Sequence, residues 1–157
     1  MTGNENMIRK LTAVFAILAC LGLAGCGFGG KSVDIDYHSP LAAKLSALKG
    51  SGQSAPLRIL TDFDWDEVHL FHEGASKDVI EKAVGSPVIR GKYFDSSASL
   101  LVFTADGAVV RAIGVTGDYL RGEGEGAAAG EPRFDFPSDV LVEPWGNGAL
   151  RLTLPPS

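Results

Sequence analysis

A chain of 157 residues, 45% of them hydrophobic and with a formal charge of −5, is long enough to bury a core of its own. The acidic balance repels phosphate backbones and so counts against nucleic acid as a partner. Both cysteines fall within the first 26 residues, so everything downstream must be stable by packing, without disulfides.

Arg9-Lys10, the apolar run from Leu11 to Leu23 and the small residues before Cys26 have the layout of a secretory signal peptide. The run is shorter than the roughly 20 residues that span a bilayer. Leu23-Ala24-Gly25-Cys26 resembles the bacterial lipobox, whose cysteine is lipidated and becomes the mature N-terminus. The alternatives are a plain secreted protein and a retained membrane anchor. Cys20, behind Ile17-Leu18-Ala19, is a poorer copy of the pattern, and Met7 is an alternative start. The resemblance implies a signal over residues 1–25, then a lipidated cysteine and tether over residues 26–38. It places the protein at the cell membrane, outside the cytoplasm. Gly27 after the cysteine points to the outer membrane in a cell with two membranes. Losing Glu5, Arg9 and Lys10 with the leader removes a net +1, which leaves −6 on the mature chain. Attachment then depends on acyl chains rather than on charge, and more than one chain is needed for stable anchoring.

The capping residue Ser39, Pro40 at the first helical position and Gly50 at the end predict a helix from Pro40 to Lys49, with Leu41, Leu45 and Leu48 on one face. Strand-like runs follow at Leu57 to Thr61 and Asp66 to His72. In the second, Val68 and Leu70 share one face, and Trp65, Glu67, His69 and Phe71 the other. Ser76 caps a second helix, Lys77 to Val84, which Gly85 and Pro87 stop. Ser99 to Thr104 is apolar on both faces, which suits a central strand, and Asp106-Gly107 turns it into Val109 to Val115. The stretch 117–133 is rich in Gly, Ala and Glu and reads as a mobile loop. Strands at Asp139 to Glu143 and Ala149 to Leu154, joined at Asn147-Gly148, close the chain. The sum is an α+β fold, an antiparallel sheet with two short helices packed on one face, in a single domain over residues 39–157.

Asp62, Asp64, Asp66 and Glu73 imitate positions of a calcium loop, but Glu67 stands where that loop needs glycine. His69 and His72 are three apart on a strand and point to opposite faces, so they do not share a metal, and His38 is distant in sequence. Gly122-Glu123-Gly124-Glu125-Gly126 lacks the lysine and hydroxyl of a phosphate loop and carries two repelling carboxylates. No serine lies in a Gly-x-Ser-x-Gly elbow. These readings name no catalytic residue, no metal and no cofactor. The face that mixes Trp65 and Phe71 with Glu67 and His69 is the candidate binding surface, unless a loop or helix covers the two aromatics.

Gly74-Ala75-Ser76-Lys77-Asp78-Val79, Val84-Gly85-Ser86-Pro87 and the hairpin Leu101 to Val110 resemble the small SmpA/OmlA (BamE-like) lipoproteins over about a quarter of the chain. Thr61 to Val68 is similar to a stretch of small bacterial lipoproteins that carries no assigned activity. The resemblance implies a non-catalytic scaffold. The expected protein is therefore a membrane-anchored extracytoplasmic lipoprotein acting as a binding or structural module of the cell envelope. Its expected partners are the membrane, through the lipid on Cys26, and an envelope protein or other envelope component. The alternatives are an envelope hydrolase or an ion- or ligand-sensing domain that uses the acids from Asp62 to Glu73.

Overall fold

Ser39 and Pro40 open the first long element as the sequence predicts. The computed structural model describes residues 32–116, 120–122, 133–146 and 148–156, in which β1 (Ile35–Asp36) leads into α1 (Pro40–Ser51). The Ser39 hydroxyl accepts from the Leu41 N–H at 3.3 Å, satisfying a donor that the first turn leaves open. The helix continues past Gly50 and ends at Gly52, whose φ of 68° is left-handed.

The run after it departs from expectation. Ala55–Pro56 forms a short β2, and the predicted strand at Leu57 is instead a single helical turn, α2 (Leu57–Leu60). Leu57 is buried and Leu60 half-buried at helical spacing, while Arg58 and Ile59 between them are exposed. Lys44 of α1 donates to the Leu60 carbonyl at 2.8 Å and the Thr61 hydroxyl to that of Arg58 at 2.9 Å, which closes the turn.

The middle of the chain follows its local signals closely. After β3 (Glu67–Phe71), α3 (Lys77–Val84) starts at Ser76, whose hydroxyl accepts from the Val79 N–H, and stops at Gly85 with φ 67°. Eight residues are too few for a helix to be stable alone; Ile80 and Val84, both buried, hold it to the sheet. β4 (Ser99–Ala105) turns at Asp106-Gly107, both with positive φ, into β5 (Ala108–Val115).

The stretch predicted as loop is partly strand. β6 (Leu120–Gly122) begins with a fully buried leucine and β7 (Arg133–Pro137) opens on Arg133. Residues 117–119 and 123–132 lie outside the described residues. β8 (Leu141–Trp145) and β9 (Ala149–Thr153) complete the chain, and the predicted turn residue Asn147 between them is also outside the described residues.

The class is α+β, with nine strands and three helices among the described residues, but the strands form two mixed sheets rather than one antiparallel sheet. The first has the order β1-β5-β4-β3-β7 and the second β2-β8-β9-β6; β1 runs parallel to β5, and β6 parallel to β9. One face of the first sheet (Val68, Leu70, Leu101, Phe103, Ile113, Phe136) packs with Val142, Leu150 and Leu152 of the second, together with Leu41 and Leu45 of α1 and Leu57 of α2. The opposite face (Phe71, Leu100, Val102, Ala112) packs with Ile80 and Val84 of α3 and with Val88, Ile89 and Phe94. The helices therefore lie on opposite faces of the first sheet, not on one. A sheet as apolar on both sides as β4 needs covering on both sides.

Gly122 sits where the two sheets meet, and a Cβ placed there would overlap the Phe134 ring. Gly122→Ala is expected to cost about 1–3 kcal/mol through overpacking. A lowered urea midpoint, with unchanged far-ultraviolet circular dichroism, checks it.

Candidate functional site

β7 pairs with β3 so that Asp135 lies opposite His69 and Arg133 opposite Phe71. Strand alternation puts Glu67 and His69 on the same face as these two, at the margin of the region that α3 covers. The result is a linked set of four ionisable side chains. His69 Nδ1 lies 2.7 Å from Asp135 Oδ1, and Arg133 Nε donates to the same oxygen at 2.8 Å while its Nη2 donates to Oδ2. A carboxylate only accepts, so His69 Nδ1 carries the proton in this pair. His69 Nε2 faces Glu67 Oε2 at 3.8 Å, and the imidazole is stacked on Phe71 with centroids 6.4 Å apart. His69 is 3% exposed, whereas the Glu67 side chain is 50% exposed, so the set opens to water at the Glu67 end.

Partial burial of the Asp135 carboxyl acts to raise its pKa. The hydrogen bonds and charges of His69 and Arg133 more than reverse this and hold it at about 2, against an ordinary 3.8. A carboxyl depressed on folding contributes stability that is complete above its unfolded pKa and is lost as pH falls through the folded value. The wild-type urea midpoint is accordingly expected to fall between about pH 4 and pH 2, and Asp135→Asn to flatten that segment of the profile. An unchanged slope in the variant would assign the acid transition to other carboxyls.

Glu67, His69 and Asp135 place donor atoms within 4.8 Å of one another, as a metal site requires. The set does not fit zinc. Both Asp135 oxygens are taken by Arg133 and His69, and only His69 Nε2 and Glu67 remain, beside a guanidinium. Zinc sites use three or four protein ligands. An Asp–His pair is also half of a nucleophile relay, but among the described residues no Ser, Thr or Cys side chain hydrogen-bonds to His69. The arrangement is best explained as a pin between β3 and the edge strand β7.

The predicted binding surface is corrected by its burial. Trp65 is 1% exposed and Phe71 fully buried, which leaves Glu67 as the exposed member beside the enclosed His69. Trp65 precedes β3 in an irregular turn, so it escapes the strand's alternation and drops between the sheets, edge-on to Phe103 at 5.1 Å. Its indole N–H donates to the Thr61 hydroxyl at 3.0 Å and Arg58 lies over its ring. Phe71 lies in the α3 layer. The tryptophan that does reach solvent is Trp145, at the end of β8.

The acidic run does not converge. Asp62 and Asp64 are exposed, Asp66 Oδ2 accepts from the Asp106 N–H of the β4–β5 turn at 2.9 Å, and Glu67 points at His69. The three histidines stay apart: His38 is exposed beside Asp36, and His72 packs against Phe134, on the other face from His69. Arg133 and Asp135 were missed because they fall at and just after the stretch read as loop. The signal was present in Arg133-Phe134-Asp135-Phe136, whose charged and aromatic residues alternate as a half-covered strand does.

A second feature lies where the described chain begins. Ser32, Asp34, Ile35 and Tyr37 form one wall of a groove of about 540 Å³, and Val88 to Gly91 with Tyr93 to Asp95 the other. Backbone bonds from Val33 to Pro87, Gly74 to Phe94, Phe94 to Ala75 and Lys77 to Lys92 hold the second wall to β1 and to the start of α3. Tyr37 lies over Gly114, where a Cβ would overlap its ring. Tyr37 is 39% and Tyr93 50% exposed at the rim. Cys26 lies outside the described residues. No protein-family model, curated protein or solved structure matches the chain.

Proposed function

We propose that this chain is a lipid-anchored, extracytoplasmic module of the cell envelope that works by binding rather than by catalysis. The observation that supports this best is the fate of its acids. Those from Asp62 to Glu67 splay into solvent or tie down a turn, and Asp135 is neutralised by Arg133. An acid–base hydrolase needs two carboxyls, or a base and a nucleophile, aimed at one point. The anchor rests on Leu23-Ala24-Gly25-Cys26, and the resemblance of Gly74 to Val110 to the SmpA/OmlA lipoproteins is in keeping with a scaffold role. No helix among the described residues is long and apolar enough to cross a membrane.

The test uses the full-length protein, cross-linked in intact cells and then solubilised. The same envelope component should be recovered from replicate preparations, and Glu67→Gln with His69→Gln should leave that recovery unchanged. Turnover of peptidoglycan fragments or phospholipids by the purified protein, abolished by the same pair, would establish the hydrolase instead.

A further inference from the structure

We propose that the groove rimmed by Tyr37 and Tyr93 seats zwitterionic phospholipid headgroups of the membrane that holds the Cys26 lipid, so that the domain lies on the bilayer by this end. The inference rests on the reading of Cys26 as lipid-bearing. It adds an orientation, which a lipid on a tether does not set by itself.

The first argument is reach. Five residues separate Cys26 from Ser32, which lines the groove, and a fully extended chain covers at most about 20 Å over the six steps between them. A domain of this size is roughly 35 Å across. The tether is therefore shorter than the domain is wide, and the groove lies on the side from which it leaves.

The second argument is the chemistry of the rim. Tyrosine is favoured at membrane–water interfaces because its ring is apolar and its hydroxyl wet. Here two half-exposed tyrosines stand on either side of the groove, with the Lys92 ammonium 5.3 Å from the Tyr93 ring centre. The floor is made of Val88, Ile89 and Phe94, which are already packed into the core beneath, so the groove is too shallow to bury an acyl tail.

The third argument is charge. The groove is lined by Arg90 with Asp34 and Asp95, and an adjoining hollow that shares Tyr93, Phe94 and Asp95 with it adds Lys92 and Glu73, so both signs are present. A purely anionic surface meets repulsion from the three carboxylates. A phosphoethanolamine group satisfies both, its phosphate against Arg90 and Lys92 and its ammonium against the acids. Arg90 and Asp34 pair with each other at 3.2 Å, but both side chains are 86% exposed, and such a pair holds too weakly to resist exchange for a headgroup.

The experiment uses the full-length lipidated protein in vesicles of phosphatidylethanolamine with a minor share of phosphatidylglycerol. With Cys20 cleaved and Cys26 acylated, an introduced cysteine is the only thiol. A bimane is placed at Ser97→Cys, exposed just beyond the groove, or at Glu143→Cys on the outer side of the second sheet. Phosphatidylethanolamine carrying a headgroup nitroxide should quench the Ser97 label several-fold more than the Glu143 label. Lys92→Ser with Tyr93→Ser, two exposed changes that keep the backbone bonds, should bring the two signals together. Equal quenching at both positions in protein shown to carry the lipid would overturn the docking. Undiminished preference for Ser97 in phosphatidylglycerol alone would overturn the zwitterionic assignment. Absence of palmitate incorporation would overturn the Cys26 reading, and the orientation with it.

Discussion

Trp65→Ala is expected to cost about 3–5 kcal/mol, the range for removing a large aromatic from a packed core. The indole is 1% exposed, lies edge-on to Phe103, and is bonded to the Thr61 hydroxyl with Arg58 over its face. Truncation opens a cavity between the two sheets, and it leaves Arg58 without its aromatic platform. Phe63, also edge-on to Phe103 at 5.1 Å, is only half-buried and is poorly placed to fill the gap. Glu67→Ala, two residues along, should shift stability by less than about 0.5 kcal/mol, because its half-exposed carboxylate interacts only across 3.8 Å with His69. Trp65→Phe separates the two contributions, keeping most of the buried ring area and losing the hydrogen bond, for about 1 kcal/mol of the total. Urea unfolding of the three variants checks the order. An alanine variant as stable as wild type would mean that the inter-sheet core closes without the indole.

Cys26→Ser is expected to abolish lipid labelling and to block processing of the leader. Lipid is added through a sulfur, and serine at this position offers no thiol to the transfer. Each buried methylene of an acyl chain is worth about 0.8 kcal/mol, so two or more chains hold a protein that its charge of −6 would otherwise leave in solution. Labelling with a palmitate analogue and the size of the product on a gel check it together. The variant should incorporate no label and keep its uncleaved leader. Labelling equal to wild type would overturn the proposal and direct attention to the poorer copy of the pattern at Cys20.

Elements whose signals are local were legible from the chain alone. Ser76 and Gly85 bracket α3 because a hydroxyl cap and a left-handed glycine act within one turn of the residues they bound. Asp106-Gly107 specifies its hairpin because both residues tolerate positive φ, and Ser99–Ala105 reads as central because its apolar residues occupy both faces. The strand expected from Leu57 to Thr61 is helical over Leu57–Leu60 because so short an apolar-rich run fits either period; contact with Lys44 and the buried site for Leu57 decided for the helix.

The candidate site was half legible. Glu67 and His69 stood out together on one strand face, but the residues that complete the set, Arg133 and Asp135, lie on another strand. His69 and Asp135 are 66 positions apart, and their meeting depends on β7 adding to the edge of β3 rather than to the second sheet. The burial of Trp65 likewise depends on a turn that interrupts the alternation used to place it. By itself the sequence determined where α1, α3 and the β4–β5 hairpin start, stop or turn, because each of these depends on neighbours in the chain. Only the tertiary structure decided which strands pair, which side chains are covered and which charges meet, because those are set by contacts between distant segments, which no local periodicity encodes.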